Sequence, residues 1–286
     1  MIKVKLAGFA DEAGNSLAEQ ISALKENNVF GLELRSIDSV NVAEFTTAQS
    51  KEYKKQLDDN GISVWSIGSP LGKAEITVDF NEYSEKVKKV CETANIFGTD
   101  KIRMFSFFNA YNEKNKVFDY LSKMVEIGNS FGVKMCHENE KEVYGDTADR
   151  VQELMDSVKG LKFIYDPANF VQMDEPADKT LSMFHSKVEY FHIKDVIKAT
   201  DELVPAGHGD GNIQKLVAML DRDVTLTLEP HLMAFDAFKD IDNTEMKHRF
   251  HFESNREAFS FACEELKKIL VNNGFAYKNG LFVKGE

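Results

Sequence analysis

Short β-rich runs alternate with longer amphipathic segments along nearly the whole chain. The short runs carry alternating or continuous apolar residues, which is typical of strands with a buried face. Eight such runs are predicted as strands, at 4–10, 30–36, 62–68, 101–108, 133–138, 161–166, 189–195 and 224–230. Their starts recur at intervals of about 30 residues, the length of one βα unit. Eight parallel strands close a barrel, so the pattern predicts an α/β fold, a (β/α)8 TIM barrel with a single domain over residues 1–286.

The segments between the strands are predicted to be helices, because their apolar residues recur every three to four positions. They lie at 16–28, 44–60, 82–98, 116–132 and 147–158, with a final helix near 255–270. The first four end in Asn or Gly, which tolerate the left-handed backbone that closes a helix.

Two segments have no counterpart in the βα repeat. Residues 231–253, between the eighth strand and the final helix, are longer than a normal loop and rich in Phe and His. Long loops at this end of a barrel are often functional, so we expect a lid there. The C-terminal tail, residues 271–286, has no clear periodicity and is expected either to pack back on the barrel or to mediate assembly.

Composition favours a globular protein and narrows its range of partners. Hydrophobic residues make up 43% of the chain and charged residues 29%, a balance that supports a buried core. Lys and Arg total 35 against 47 Asp and Glu, which gives a net charge of −12. This charge repels phosphate backbones and anionic lipid, so we expect neither a nucleic acid nor a membrane as partner.

Cysteine usage and the lack of targeting signals favour the cytoplasm. The three cysteines, Cys91, Cys136 and Cys263, are widely spaced and form no CxxC pair. The sequence shows no apolar leader, and no window reaches the roughly 20 apolar residues of a spanning helix. We therefore expect a cytoplasmic protein.

Four consecutive predicted strands end in ionisable residues, at the end of the barrel where active sites of this fold lie. The fifth strand ends in Glu138, the sixth in Asp166 and the eighth in Glu229, while His192 lies near the end of the seventh. Side chains alternate along a strand, and in VTLTLE the polar positions separate from the apolar ones, which points Glu229 into the barrel. The sequence therefore predicts that three carboxylates and one imidazole converge.

Three carboxylates in one dry cavity repel each other unless they protonate, pair or bind a cation. A divalent metal ion removes this repulsion, and oxygen-rich ligation with one His suits Mn²⁺, Zn²⁺, Mg²⁺ or Co²⁺ alike. Any one of these residues alone is more simply a surface charge at the start of a loop. Four in register on successive strands predict a metal site formed by Glu138, Asp166, His192 and Glu229.

The same residues lie in segments that resemble motifs of the xylose isomerase-like superfamily, which includes sugar phosphate isomerase/epimerase-type proteins, inosose dehydratases and endonuclease IV. The segments are HENEKEVYGD (137–146), YDPANF (165–170), FHIKD (191–195) and LEPHL (228–232). The resemblance implies a metal-dependent enzyme acting on a small sugar, with Glu138 and Glu229 as opposed acid and base groups. It also implies that homo-oligomers are possible.

A metal bound to a ketose carbonyl and its neighbouring hydroxyl stabilises the enediolate left after proton removal. Two carboxylates on opposite faces can then remove the proton and return it, either to the opposite face of the same carbon or to the next carbon. The first outcome is epimerisation and the second is isomerisation, and the sequence leaves both open.

One position departs from the pattern of the epimerases, which usually have His three residues after the aspartate of the sixth strand. Here that position is Asn169, which can hydrogen-bond a hydroxyl but cannot transfer a proton. A metal-dependent lyase or dehydratase acting on a keto-sugar or inosose is therefore the main alternative. A sugar-binding protein without turnover and an endonuclease IV-like nuclease are further alternatives, the latter disfavoured by too few His ligands and by the charge.

Several further polar residues near the strand ends are candidates for binding the substrate. They are Arg103, Glu140, Asn169, Lys194, Asp195 and His208. Glu140 shares the parity of Glu138, and Lys194 and Asp195 follow His192, so they either orient that ligand or contact the sugar. The simpler interpretations are an internal salt bridge for Arg103 and an exposed loop position for His208.

Overall fold

The computed structural model describes residues 1–233 and 249–285. Fourteen strands occur among them: β1 (Ile2–Gly8), β2 (Gly31–Leu34), β3 (Ser36–Ile37), β4 (Val40–Asn41), β5 (Ser63–Ile67), β6 (Lys101–Met104), β7 (Lys134–Glu138), β8 (Lys162–Tyr165), β9 (Tyr190–Ile193), β10 (Asp195–Ile197), β11 (Glu202–Val204), β12 (Val224–Leu228), β13 (Ala276–Lys278) and β14 (Leu281–Lys284).

The described residues also form nine α-helices. They are α1 (Leu17–Glu26), α2 (Thr47–Asp59), α3 (Phe80–Phe97), α4 (Lys114–Ser130), α5 (Ala148–Ser157), α6 (Pro167–Gln172), α7 (Ala177–Phe184), α8 (Ile213–Ala218) and α9 (Asn255–Asn272). Among the described residues, no helix is both long enough and apolar enough to cross a bilayer.

Eight parallel strands form a closed barrel in the order β1-β2-β5-β6-β7-β8-β9-β12, with β12 pairing back to β1. Each of the eight predicted strands overlaps one of them, so the predicted single-domain TIM barrel is confirmed. The helices cover the outside, and one continuous apolar core lies between them and the strands.

Helix ends follow the local sequence closely. Ser16 with Glu19, and Thr46 with Gln49, form capping boxes that satisfy the free N–H groups at the starts of α1 and α2. Three of the four predicted stops have the expected positive φ angle, and at the second helix it occurs at Gly61, one residue after the predicted Asn60. The residues with positive φ are Asn28, Gly61, Gly98 and Gly132.

The C-terminal tail packs back on the barrel as an antiparallel hairpin. After α9 ends, β13 pairs with β14, and β14 pairs with the first residues of β1. Phe282 of β14 is 3% exposed and joins the main core, which anchors the hairpin. Of the two expectations for the tail, packing on the barrel is therefore confirmed.

The predicted lid falls mostly outside the described residues. Residues 234–248 of the 231–253 segment are not described. At its start, His231 and Leu232 are buried, and His231 has a positive φ of 47°. The chain thus turns sharply into the barrel mouth directly after the eighth barrel strand.

The barrel interior has a layer of its own, separate from the outer core. Cys136, Ile164 and Tyr190 are fully buried and contact each other, with Trp65 packed against them. These three residues precede Glu138, Asp166 and His192 by two positions, so the predicted inward parity of the three strands is confirmed. Side chains two residues further along each strand therefore reach the C-terminal mouth of the barrel.

Gly72, in the loop between β5 and α3, permits a close backbone approach near this mouth. Its φ is +87°, and a Cβ at this position would lie 2.0 Å from the carbonyl oxygen of Phe105. We expect Gly72→Ala to lower the free energy of unfolding by about 2–5 kcal/mol, from left-handed strain plus overpacking. Urea denaturation measures this change.

Gly61→Ala is the matched control, because Gly61 also has a positive φ (+71°) but has no atom within 4 Å of the added Cβ. It should cost only about 1–2 kcal/mol, the strain alone. Equal losses for the two variants would show that the contact with Phe105 does not constrain this loop.

Candidate metal centre

The four predicted ligands come together at the C-terminal ends of four neighbouring strands. Glu138 is the last residue of β7, Asp166 follows β8, His192 is the third residue of β9, and Glu229 follows β12. One ligand atom from each residue lies within 4.8 Å of the others, and all four side chains are buried. The cluster is thus a direct product of strand order and inward parity.

The imidazole of His192 lies between the carboxylates. Its Nδ1 is 2.9 Å from Glu138 Oε1 and 3.0 Å from Glu229 Oε2. Its Nε2 faces the other way, 3.3 Å from Oε2 of Glu33. Nδ1 is therefore the nitrogen that faces the cluster, and Glu33 is placed to hold the ring from behind.

Three basic side chains offset the negative charge of the carboxylates. Arg103 NH1 lies 3.2 Å from Glu138 and 3.3 Å from Glu229, and so bridges the two glutamates. Arg35 NH1 lies 3.1 Å from Glu229 Oε1. Lys194 Nζ lies 3.0 Å from Asp166 Oδ2.

The pKa shifts within the cluster follow from burial and from the charges that surround each group. Burial lowers the pKa of His192, but Glu138, Glu33 and Glu229 outweigh burial and hold that pKa well above its usual value. Burial raises the pKa of Asp166 to about 6, although Lys194 opposes the shift. Burial also raises the pKa of Glu229, but Lys194 and His192 outweigh it and hold the value well below normal.

The donor set fits a divalent cation. Asp166 Oδ2 and Glu229 Oε2 are buried and accept no hydrogen bond of normal geometry, despite their ion-pair distances to Lys194 and His192. His192 Nδ1 instead has hydrogen-bond geometry with Glu138 Oε1, at 2.9 Å. Buried carboxylate oxygens without donors are costly unless a cation coordinates them. Glu138, Asp166, His192 and Glu229 would hold such an ion.

Four of the predicted substrate residues adjoin this cluster. Arg103 and Lys194 contact its carboxylates, as described above, and Glu140 is buried in a 2.9 Å ion pair with Lys73. The side-chain amide of Asn169 donates to the carbonyl of Asn139 at 2.8 Å and lies 3.5 Å from Glu138 Oε1. Asn169 therefore supports Glu138.

The other two predicted substrate residues lie away from the cluster. Asp195 has the opposite parity to His192, and its carboxylate accepts the backbone N–H groups of Gly207, Gly209 and Gly211, so it organises the loop over residues 205–211. His208 is 41% exposed and pairs with Glu265 of α9 at 2.8 Å. In this structure neither side chain faces the barrel mouth.

The sequence indicated only an internal ion pair of Glu33 with Arg35, and it did not place Glu33 behind His192. Glu33 of β2 accepts the hydroxyl of Tyr190 at 2.7 Å and lies beside the ring of His192. Glu33 is fully buried, and the parity rule that identified Glu229 also points Glu33 inward. The sequence therefore carried a signal for this residue.

A second set of missed residues surrounds Glu229. Asp11 binds Arg35 through two hydrogen bonds, of 2.8 and 2.9 Å, which fixes the guanidinium beside Glu229. His231 Nε2 lies 3.3 Å from Glu12 and 3.6 Å from Glu229. Burial raises the pKa of Glu12 to about 8 although Arg35 opposes it. Asp11 and Glu12 lie in the 3-10 turn after β1, where no periodic pattern indicates direction.

This fold and cluster define an α/β barrel with a candidate metal centre at its C-terminal mouth. The sequence profile of the family described as "Xylose isomerase-like TIM barrel" matches residues 21–231. The chain therefore belongs to the xylose isomerase-like TIM barrel family. A search of curated proteins found no significant match.

Solved structures with the same fold have low sequence identity to this chain. A probable 3-DHS dehydratase, AsbF, from Bacillus anthracis is 16% identical, with a TM-score of 0.71, over 93% of this chain and 99% of that one. The IOLI protein with a bound zinc atom is 15% identical, with a TM-score of 0.70, over 95% and 98%. The 3-keto-D-glucoside 4-epimerase YcjR from E. coli is 14% identical, with a TM-score of 0.68, over 94% and 100%. At these identities the likeness shows the fold.

Glu33 provides a test of how the centre is held. We expect Glu33→Gln to weaken divalent-metal binding by about 10–100-fold, because the ring of His192 loses its charged partner. Calorimetric titration with Mn²⁺ measures the affinity. Glu189→Gln, a change at a half-exposed glutamate at the other end of the barrel, should leave it unchanged. Unaltered affinity in a folded Glu33→Gln protein would contradict the orienting role.

Proposed function

We propose that this protein is a divalent-metal-dependent isomerase or epimerase that acts on a small sugar, ketose or sugar phosphate through an enediolate. The observation that carries the proposal is the buried cluster of Glu138, Asp166, His192 and Glu229, with two carboxylate oxygens that accept no hydrogen bond of normal geometry. Mn²⁺, Zn²⁺, Mg²⁺ and Co²⁺ all suit this donor set. The zinc atom of the IOLI protein, which shares this fold, supports the proposal that the protein binds a metal.

The residues around the cluster suit proton transfer at a carbon next to a carbonyl. A bound divalent ion would polarise the carbonyl and stabilise the negative charge that develops on its oxygen. Glu138 and Glu229 are the proposed pair of groups that remove the proton and return it. Arg103 contacts both glutamates, and Arg35 contacts the Oε1 of Glu229, so each carboxylate has a fixed orientation before the substrate arrives.

The walls of the mouth suit a hydroxylated substrate. Glu140, Lys73 and Lys194 present charged groups around the cluster, and Asn169 presents an amide. Such groups bind hydroxyls through directional hydrogen bonds. The epimerase activity named for YcjR supports a sugar as substrate. We further propose that the protein works in the cytoplasm, since all three cysteines are free and buried.

Hydrogen exchange at carbon tests the proposal. The metal-loaded protein should transfer deuterium from D2O into one member of a panel of ketoses and keto-sugars, detected by NMR. Glu229→Gln should slow this exchange by about 10²–10⁴-fold, the usual contribution of a general acid–base group. Metal affinity is measured in parallel, because Glu229 is also a proposed ligand.

Glu265→Gln is the control for this experiment. It makes the same chemical change at a glutamate that pairs with His208 on the outside of the barrel, so exchange should be unaffected. Full exchange activity in metal-loaded Glu229→Gln would contradict the acid–base role. A sugar that binds without any exchange would favour a binding protein without turnover.

A metal-dependent lyase is the second candidate, and Asn169 is the observation that favours it. The amide holds Glu138 and cannot carry a proton, whereas the epimerases usually have His at this position. Elimination needs one proton removed from carbon and a leaving group expelled, without return of the proton to that carbon. The dehydratase named for AsbF has the same fold.

An unsaturated product distinguishes the two candidates. Incubation of the metal-loaded protein with keto-sugars and inososes should give an epimer or isomer if the first proposal holds. Accumulation of an α,β-unsaturated ketone, followed by its ultraviolet absorbance, would establish the lyase instead. If position 169 decides between the two reactions, Asn169→His should increase hydrogen exchange and return of the proton relative to elimination.

A further inference from the structure

The N-terminal end of the barrel, opposite the candidate metal centre, contains a cavity of about 380 Å³. Its lining includes Lys3, Lys5, Trp65, Lys101 and Thr225. Inner layers of this fold are normally filled by branched aliphatic side chains. Two inward lysines from β1 and one from β6 therefore depart from what packing alone requires.

Two of these lysines lie close to the indole ring of Trp65. The register between β2 and β5 passes from Leu32–Val64 to Glu33–Ser66, so Trp65 is the extra residue of a β-bulge. Bulges re-aim side chains. The ammonium of Lys101 lies 4.2 Å from the centre of the indole ring, and that of Lys5 lies 5.4 Å from it.

The positive charge of Lys5 is not balanced by a carboxylate. Its ammonium donates to the hydroxyl of Ser63 at 3.0 Å, and in the part of the chain that the structure describes it forms no ion pair. Burial lowers the pKa of Lys5, and the positive charge of Lys101 lowers it further. Among the described residues, the carboxylate partner of Lys101 is the half-exposed Asp100.

The carboxylates that line the cavity already have partners. Glu189 pairs with Lys134 at 2.9 Å, and Asp223 accepts the backbone N–H of Lys3 at 2.8 Å. The chain as a whole carries a charge of −12, so a local excess of positive charge is unusual for this protein. A bound anion would relieve the repulsion between Lys5 and Lys101.

We propose that this cavity is a binding site for a small oxyanion, a phosphate or carboxylate group held between Lys5 and Lys101. Thr225 of β12 is 2% exposed, lines the cavity and pairs in register with Lys5, so its hydroxyl is a further donor for the same group. Charged hydrogen bonds from two ammonium groups favour this class of ligand. The site is independent of the metal centre and of the reaction proposed there.

Trp65 is the single tryptophan of the chain and lines this cavity, so its fluorescence responds to a ligand bound there. The metal-free protein is titrated with inorganic phosphate and, separately, with succinate, with NaCl at matched ionic strength as the blank. We expect a saturable change in Trp65 fluorescence with at least one of the two anions. The comparison shows whether a phosphate or a carboxylate is preferred.

Substitutions then locate the binding. Lys5→Met and Lys101→Met should each weaken binding by at least about tenfold, the loss expected for one charged hydrogen-bond partner. Lys5→Arg should retain it. Lys51→Met, at an exposed position on α2, is the matched control and should bind as the parent does. Circular dichroism confirms that each variant is folded.

The absence of a saturable fluorescence change with both anions in the parent protein would overturn the proposal. Binding that is equally strong in folded Lys5→Met and Lys101→Met would also overturn it, because the anion would then lie elsewhere. If Lys5→Met does not fold, Lys101→Met and Lys5→Arg decide the outcome. None of these measurements depends on metal or turnover, so the proposed enzymatic function stands or falls separately.

Discussion

The burial of three carboxylates around one imidazole is the constraint on which the C-terminal end of this barrel depends. Glu138, Asp166 and Glu229 are all fully or almost fully removed from water. Charges this deeply buried are costly unless cations face them. Arg35, Arg103 and Lys194 supply part of the positive charge that faces the carboxylates. The carboxylates also hold the pKa of His192 well above its usual value, which favours its positively charged form. Two carboxylate oxygens still accept no hydrogen bond of normal geometry, a deficit that a divalent ion would fill.

The fold meets this constraint through rigid elements. The four residues stand at the ends of adjacent parallel strands, and the layer beneath them, Cys136, Ile164 and Tyr190, is tightly buried. Supporting contacts come from the opposite side of the barrel, where Glu33 of β2 reaches His192 and Arg35, the residue after β2, reaches Glu229. A site held from both sides is preorganised, which is what metal binding and proton transfer at fixed geometry require.

Much of this could be predicted because it depends on period and parity. The eight strands, the first five helices and the convergence of Glu138, Asp166, His192 and Glu229 all follow from side-chain alternation and from the length of a βα unit. Whether the four bind a metal remains a prediction that the geometry supports.

The elements that could not be predicted are short or depend on distant contacts. Helices α6 and α8 have only six residues each, too few for a period to show. The C-terminal hairpin owes its place to pairing with β1 and to the burial of Phe282, which local sequence does not reveal. Glu12 and His231 reach the candidate metal centre from irregular backbone, and His208 turns outward to Glu265. Side-chain alternation along a strand therefore does not predict the direction of these three residues.

The location of a single bound metal tests the central claim most directly. Crystals of the metal-free protein that are soaked with Mn²⁺ should show one anomalous scattering peak, from an ion coordinated by Glu138, Asp166, His192 and Glu229. In solution the protein should bind one equivalent of Mn²⁺. Asp166→Asn should lose most of that affinity while the barrel stays folded. A protein that binds no Mn²⁺, Zn²⁺, Mg²⁺ or Co²⁺, or that binds the ion elsewhere with these four residues intact, would contradict the account.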